Sequence, residues 1–161
     1  MRTPGPRAVL SVALVVAILS YAAYLAVSTP GTVRLVSPPS RFTVNGRTFS
    51  ITYIAADQGS RQAGLMNRKI SNSTTMLFVF PSPGTYSFWM SDVNSTLDII
   101  WLNVTGDVGT VVYVVRDAPG CNSSVVCPIY QPPSPANWVI EAKGGFSVAY
   151  GVDVGTSFEF A

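Results

Sequence analysis

Three charged side chains stand out in this sequence because each lies within or beside an apolar segment. Asp98 lies in the run LDIIWLNV at residues 97–104, and Glu141 lies in the run NWVIEA at residues 137–142. A carboxylate that is buried without a hydrogen-bonding or cationic partner costs several kcal/mol or has a raised pKa. Arg61 suits such a carboxylate because its guanidinium is always charged and can bind in a bidentate manner. We therefore predict that Arg61 pairs with Asp98 or Glu141 inside the fold.

The residue types around these groups are typical of a pocket for a small ligand. Such pockets combine an apolar and aromatic lining with a few polar groups, here Arg61, Asp98 and Glu141. The candidate lining residues are the large apolar and aromatic side chains Met66, Trp89, Met90, Trp101 and Tyr130. Core packing is the competing explanation for these side chains, and a structural ion pair is the competing explanation for the charged ones. The leading hypothesis is a binding or accessory module.

An enzymatic alternative is a hydrolase in which Asp98 and Glu141 divide the roles of general acid and general base. Paired carboxylates in unlike environments can perform this chemistry. The sequence has no histidine, no nucleophile elbow and no Gly-rich phosphate loop, so it contains no common catalytic constellation. It therefore favours binding over catalysis and predicts no cofactor. A third hypothesis is an accessory subunit of a membrane protein complex, which would expose a large apolar patch.

The two cysteines, Cys121 and Cys127, lie in a loop rich in proline and serine. Outside the cytoplasm such a pair favours a disulfide, which would stabilise the fold by roughly 2 kcal/mol in the chain-entropy model. A redox-active pair is the alternative, although the spacing differs from Cys-x-x-Cys. Zinc is disfavoured because two thiolates without histidine would need carboxylates, and the loop offers only Asp117. The sequence predicts a structural disulfide and no metal site.

The start of the chain predicts a membrane anchor followed by a stalk. Residues 8–27 form an uncharged apolar run of about the length that crosses a bilayer. Basic residues precede this run, so the positive-inside bias places residues 1–7 in the cytoplasm of a single-pass protein of the cell membrane. Residues 28–40 are a predicted stalk, and residues 41–161 are a predicted extracytoplasmic domain. The alternative is a signal peptide that is cleaved near residues 26–28.

Sequons and charge agree with an exported domain. Four asparagines begin a glycosylation sequon, namely Asn72, Asn94, Asn103 and Asn122, and unused sequons in a serine-rich chain are the alternative explanation. The net charge of +2 equals the charge of Arg2 and Arg7 in the N-terminal tail. The rest of the chain is neutral and gives no electrostatic reason to expect nucleic acid as a partner. The predicted partners are the membrane, through the N-terminal helix, and either a small ligand or a membrane protein.

Strand, turn and cap signals predict a mainly β domain. Asn45-Gly46 is typical of a two-residue hairpin turn. Asp57 and Gly64 are a suitable start and end for a short helix. Residues 146–150 predict one further helical turn. We expect a small compact antiparallel β-barrel or sandwich-like domain with one or two short helices, preceded by the single transmembrane helix.

The aromatic stretch in the middle of the chain predicts another hairpin. Residues 76–80 are apolar at every position, which is typical of a strand covered on both faces. Residues 81–84 are Pro-Ser-Pro-Gly and predict a turn into a strand at residues 85–90.

Several motifs in a fixed order resemble one protein family. They are RQAGLMNR at residues 61–68, MLFVF at residues 76–80, FWM at residues 88–90 and LDII at residues 97–100. This pattern resembles the domain of unknown function family 192 (DUF192), with its Arg-x-x-Gly-Leu-Met-x-Arg, Met-Leu-Phe-x-Phe and Phe-Trp-Met motifs. The resemblance covers residues 47–160. It implies a small β-rich domain, often exported or membrane-anchored, of bacteria and archaea.

One segment departs from the family pattern. Where the family usually has Lys-Asn-Thr and a proline, this chain has Ser91-Asp92-Val93 and Thr96, with a sequon at Asn94. This loop would form a wall of any shared site. The resemblance therefore implies a fold and an export expectation, and it implies no reaction and no common ligand.

Overall fold

Strands account for most of the regular structure. A computed structural model describes residues 38–122, 124 and 126–161. The strands of this part of the chain are β1 (Arg41–Val44), β2 (Arg47–Ser50), β3 (Tyr53–Ala55), β4 (Thr75–Gly84), β5 (Phe88–Trp89), β6 (Leu97–Thr105), β7 (Val108–Ala118), β8 (Ile129–Tyr130), β9 (Ala136–Lys143) and β10 (Ser157–Phe160). The helices are α1 (Gln58–Ala63) and α2 (Phe146–Ala149). The prediction of a mainly β fold with short helices is confirmed.

Eight of the strands form one sheet that is curled into a half-barrel. The strand order is β2-β1-β10-β7-β6-β9-β4-β3, and β5 and β8 form a separate two-stranded sheet. Neighbouring strands are antiparallel except β3 and β4, which are parallel. The predicted antiparallel barrel or sandwich is therefore corrected to one curled sheet with a parallel pair at its end.

The two edge strands of the large sheet are consecutive in the chain. β2 and β3 are separated only by Ile51 and Thr52. The Ile51 amide donates to the Ser40 carbonyl at 2.8 Å, beside β1, whereas the Thr52 amide donates to the Thr75 carbonyl at 3.1 Å, at the start of β4. The chain therefore passes directly from one edge of the sheet to the other.

The first hairpin and the first helix form at the positions that the sequence predicts, because short local motifs determine both. Asn45 and Gly46 have φ angles of 47° and 74°, which a two-residue turn between β1 and β2 requires. The Asp57 carboxylate accepts a hydrogen bond of 2.9 Å from the Ser60 amide and caps α1. Gly64 ends α1 with a φ angle of 46°, a conformation that favours glycine. Both predictions are confirmed.

The predicted hairpin at residues 76–90 is wrong. β4 continues through the two prolines to Gly84 and pairs with β9 rather than with the following segment. Its register shifts between Val79 and Gly84, and such an irregularity tolerates prolines that cannot donate to the ladder. β5 pairs with β8 instead, with Phe88 opposite Tyr130.

Both faces of the sheet are covered, each by its own hydrophobic core. The α2-side core includes Phe42, Leu77, Ile100, Ile140 and Phe146. The β5-side core includes Leu65, Phe78, Phe88, Ile99 and Trp101. Residues 76–80 contribute to both cores, so the prediction of a strand covered on both faces is confirmed. Alternate residues of one strand therefore reach two different environments.

The disulfide prediction is confirmed, and the predicted membrane segment precedes the described residues. Cys121 and Cys127 are bonded to each other. The predicted transmembrane helix at residues 8–27 lies outside the described residues, among which no helix has the length and apolarity to cross a bilayer. The four sequon asparagines are all exposed, as glycosylation requires, and their use stays a prediction.

Candidate functional site

A cavity of about 210 Å³ lies on the β5 side of the sheet. Its lining comes from α1 and the residues that follow it, from β4, from β5 and its flanks, and from Glu141 on β9. The lining residues are Gln58, Arg61, Gln62, Ala63, Gly64, Leu65, Met66, Phe78, Phe80, Tyr86, Ser87, Phe88, Trp89, Met90, Val93 and Glu141. Gln58, Gln62 and Trp89 are exposed, so the cavity reaches solvent beside α1 and β5. A mostly apolar lining with a few polar groups is the usual composition of a small-ligand site.

Glu141 is the buried polar group of this cavity. Its side chain is 3% exposed, and its Oε2 atom has no hydrogen-bond partner among the described residues. The residues directly opposite Glu141 on the flanking strands are Met76 and Ile99, both apolar and both buried. Burial raises the pKa of Glu141 to about 8 because desolvation penalises the charged form. At neutral pH Glu141 is therefore mainly a carboxylic acid, able to donate one hydrogen bond and to accept others.

Arg61 is the cationic group of the cavity, and it is held by backbone carbonyls. Its Nη1 atom donates to the Ala56 carbonyl at 2.6 Å and to the Val79 carbonyl at 3.0 Å. Its guanidinium lies 5.2 Å from the centre of the Phe80 ring, within the range of a cation–π contact. These contacts fix the side chain between α1 and β4.

The turn after α1 builds one wall of the cavity. Gly64 reverses the chain so that Leu65, which is 2% exposed, enters the β5-side core. Met66 follows on the cavity lining. The Arg-x-x-Gly-Leu-Met run therefore places a cation, a turn and two apolar side chains around the cavity.

The opposite wall is β5 with its aromatic neighbours. The Phe88 ring packs edge to face against Phe78, with ring centres 4.9 Å apart, and against Trp101 at 5.6 Å. Phe80 and Tyr86 stack with ring centres 3.6 Å apart. Such aromatic pairs contribute stability beyond their buried area, so this wall is well fixed.

The disulfide loop supports the same wall from outside. The Cys121 amide donates to the Met90 carbonyl at 3.0 Å, and the Asp92 amide donates to the Cys121 carbonyl at 2.7 Å. Cys121 is bonded to Cys127, which lies two residues before β8 in the chain. β8 in turn pairs with β5. This bridge therefore constrains the loop that holds β5 over the cavity.

Asp98 has a structural environment on the other face of the sheet. It is fully buried, and its two oxygens accept backbone hydrogen bonds from Asp117 at 2.8 Å, Gly145 at 3.3 Å and Ser147 at 2.6 Å. These amides belong to the end of β7 and the start of α2. Because the residue at the start of α2, Gly145, has no side chain to cap the helix, Asp98 takes over this role.

The predicted ion pair of Arg61 is wrong. Within the described part of the chain Arg61 bonds to carbonyls, and the ion pair observed there joins Arg116 to Asp153. Asp98 needs no cation because three amides already satisfy it. Glu141 lines the same cavity as Arg61 and forms no ion pair with it.

The geometry also separates the two carboxyl groups of the hydrolase hypothesis. In the β6–β9 register Glu141 lies opposite Ile99, whereas Asp98 lies opposite Ala142. Paired residues share a face and consecutive residues alternate, so Asp98 and Glu141 point to opposite faces of the sheet. They do not form an acid and base pair around one substrate. Among the described residues no group of three metal-binding side chains is assembled either.

The structure distributes the candidate pocket residues over two places. Arg61, Met66, Trp89, Met90 and Glu141 line the cavity. Outside this lining, Trp101 is fully buried in the β5-side core, where its Nε1 donates to the Tyr86 carbonyl at 3.0 Å, and Tyr130 packs at the edge of this core.

Sequence reasoning missed much of the aromatic lining. Phe78, Phe80, Tyr86 and Phe88 were not among the candidates, and all four line the cavity. A signal for two of them was available. Phe78 and Phe80 are alternate residues of one strand and therefore share the face that Met76 also occupies.

Fold and cavity together define a class of protein: a mainly β domain with a small apolar cavity, a fixed cation and a buried carboxyl group. The model of the family described as Uncharacterized ACR, DUF192, matches residues 41–160 of the chain. The chain therefore belongs to the DUF192 family. The predicted resemblance is confirmed, and the family description states no reaction.

Two crystal structures share the fold. One is a protein from Sinorhizobium meliloti 1021 with the provisional description of a transcription regulator; it is 27% identical, with a TM-score of 0.63, over 74% of this chain and 90% of that protein. The other is a protein of unknown function from Novosphingobium aromaticivorans DSM 12444, 22% identical with a TM-score of 0.62, over 74% of this chain and 83% of that protein. No curated protein matched the chain.

Proposed function

We propose that this domain is a binding module for a small ligand and that the cavity between α1 and β5 is its site. The observation that carries the proposal is the Glu141 carboxyl group, which is buried on the cavity lining with an Oε2 atom that has no partner in the described structure. A buried polar atom without a partner costs about 1–3 kcal/mol. A ligand that hydrogen-bonds to Oε2 would remove this cost.

Two further features support the proposal. The pKa of Glu141 is raised to about 8 by burial, and strongly perturbed carboxyl groups are concentrated at functional sites. The cavity is also larger than the apolar cavity of about 150 Å³ that accommodates benzene in a small protein. The part of a ligand that lies inside the cavity would therefore have roughly ten non-hydrogen atoms.

A fragment screen by nuclear magnetic resonance tests this proposal on the purified full chain. We expect bound fragments to shift the amide signals of residues 58–66 and 86–90 and to leave those of α2 in place. Glu141→Leu fills the polar end of the cavity with an apolar group of similar size and should abolish binding without loss of melting temperature.

Glu159→Leu is the matched control because Glu159 is exposed on β10, away from the cavity lining. This variant should bind fragments as the natural protein does. A screen in which no fragment shifts the cavity signals, or in which Glu141→Leu binds as well as the natural chain, would contradict a binding function for this cavity.

An accessory subunit of a membrane complex is the second candidate. Trp89 and Ile129 lie opposite each other in the β5–β8 pair and are 47% and 70% exposed. An exposed aromatic and aliphatic pair at the cavity mouth suits a protein partner. A partner seated there would also cover the site.

The net charge of the domain is a reason not to extend to this chain the description of the Sinorhizobium protein as a transcription regulator. The described residues include seven Lys and Arg against eight Asp and Glu, a formal net charge of −1. Nucleic-acid binding relies on an excess of positive charge.

We propose the location that the sequence predicts, with residues 41–161 outside the cell and a membrane anchor at residues 8–27. The apolar run, the basic residues before it and the exposed sequon asparagines support this. Protease added to intact cells should therefore degrade the domain. Full protection of the domain, with degradation only after lysis, would reverse the topology.

A further inference from the structure

Arg61 has hydrogen-bonding capacity that the fold does not use. Its Nη1 atom donates hydrogen bonds to the Ala56 and Val79 carbonyls. Its Nε and Nη2 atoms have no hydrogen-bond partner among residues 38–122, 124 and 126–161. The side chain is therefore already ordered, with donors left on a planar guanidinium. Such a group binds an oxyanion without a further loss of side-chain entropy.

The charge of the cavity lining favours an anion. The titratable residues of the described lining are Arg61, Glu141 and Tyr86, and of these side-chain types only arginine and glutamate are ordinarily charged at neutral pH. The groups that face Glu141 from the flanking strands, Met76 and Ile99, carry no charge. Because Glu141 is mainly protonated at neutral pH, the lining has a net charge of +1 there. A cationic ligand would meet an uncompensated guanidinium.

We infer that the cavity binds small organic carboxylates, with the carboxylate on the free donors of Arg61, an aromatic or branched apolar body between the aromatic walls, and contact with Glu141 at the buried end. This inference rests on the proposed binding function and names its ligand class. Phe78, Phe80 and Phe88 supply flat apolar surface for the body. A cavity of about 210 Å³ suits a molecule of the size of benzoate.

Three probes of one shape and different charge test this inference: benzoate, benzamide and benzylamine, titrated calorimetrically into the purified full chain at pH 6. We expect benzoate to bind at least tenfold more tightly than either of the others. Arg61→Gln should remove this preference and leave the affinity for benzamide unchanged. Arg41→Gln is the matched control because Arg41 is exposed on β1, outside the cavity lining, and it should retain the preference.

The pH dependence of benzoate binding is a second measurement, and it needs no variant of Arg61. Ionisation of Glu141 above pH 8 adds a negative charge to the cavity, so benzoate should bind at least tenfold more weakly at pH 9 than at pH 6. Glu141→Gln cannot ionise and should remove this dependence. An arginine side chain is charged in proteins over this whole range.

The outcomes separate this inference from the proposed function. Tightest binding of benzylamine, or equal binding of all three probes, would overturn the carboxylate class while the cavity remained a binding site. The same holds if fragments occupy the cavity but none of the three probes does. If neither the fragments nor the probes bind, both proposals fail. Should Arg61→Gln not fold, the ranking of the probes on the natural chain decides the matter.

Discussion

Asp98→Ala is expected to lower the free energy of unfolding at 25 °C on the order of 5 kcal/mol. The substitution removes the fully buried acceptor of three backbone amides, those of Asp117, Gly145 and Ser147, of which Ser147 is itself a buried residue. Each amide left without a partner costs about 1–3 kcal/mol. Domains of this size are stable by only about 5–15 kcal/mol in total. The loss should also free α2, because Asp98 supplies its cap.

Urea denaturation followed by tryptophan fluorescence measures this effect. Asp98→Asn is the more conservative variant; it keeps the shape but exchanges one acceptor for an amino group that faces an N–H, so it should still lose a substantial part of the stability. Asp107→Ala is the control because Asp107 is exposed in the turn between β6 and β7, and it should change stability by less than about 0.5 kcal/mol. A free energy of unfolding of Asp98→Ala close to that of the natural chain would show that Asp98 does not support the fold in this way.

The natural chain is expected to lose stability relative to Glu141→Gln as the pH rises from 5 to 9. The folded-state pKa of Glu141 is about 8 against an ordinary value of 4.5, because burial penalises the carboxylate. Below pH 4.5 the Glu141 carboxyl group is protonated in both the folded and the unfolded state, so its burial carries no penalty for desolvating a charge. Between 4.5 and 8 the unfolded chain ionises and the folded chain does not, so stability falls, and above pH 8 the loss is complete. At about 1.4 kcal/mol for each unit of pKa difference, the full loss is about 5 kcal/mol.

The measurement is a set of urea denaturation curves at pH 5, 6, 7, 8 and 9 for the natural chain and Glu141→Gln. The difference between the two proteins isolates Glu141 from the other titrating groups. Glu159→Gln is the control for an exposed glutamate and should follow the natural chain. Parallel curves for the natural chain and Glu141→Gln would mean that Glu141 is ionised or paired in the folded protein, which would remove the main support for the cavity as a site.

Features that depend on a few consecutive residues could be predicted from the sequence. Asn45-Gly46 makes its hairpin and Asp57 and Gly64 delimit α1 because the necessary angles and caps are properties of those residues themselves. The disulfide was predictable for a similar reason, since its cysteines are close in sequence.

The predicted hairpin after residue 80 failed because turn signals permit a turn without requiring one. Proline and glycine in residues 81–84 are also compatible with an irregular strand, and the long-range pairing with β9 determined the outcome. Such pairing cannot be deduced from one segment alone.

The candidate site depended on a register that the sequence does not reveal. Both Asp98 and Glu141 were expected inside, and both are buried. The pairing of Glu141 with Ile99, rather than with Asp98, places the two groups on opposite faces, because a shift of one residue exchanges the faces of a strand. The Arg61 prediction failed in consequence, since only one of its proposed partners lies on its side of the sheet, and the guanidinium bonds to the Ala56 and Val79 carbonyls instead.

The direct passage of the chain between the two edge strands bears on self-association. An exposed sheet edge is a template on which a second chain can add a strand, and repeated addition leads to fibrils. Here the two edges of the large sheet, β2 and β3, are short and are drawn together by Ile51 and Thr52. A growing fibril would need two separate open edges, one to accept a strand and one to offer it. In this fold both belong to one short segment, so the native domain is a poor seed for polymerisation.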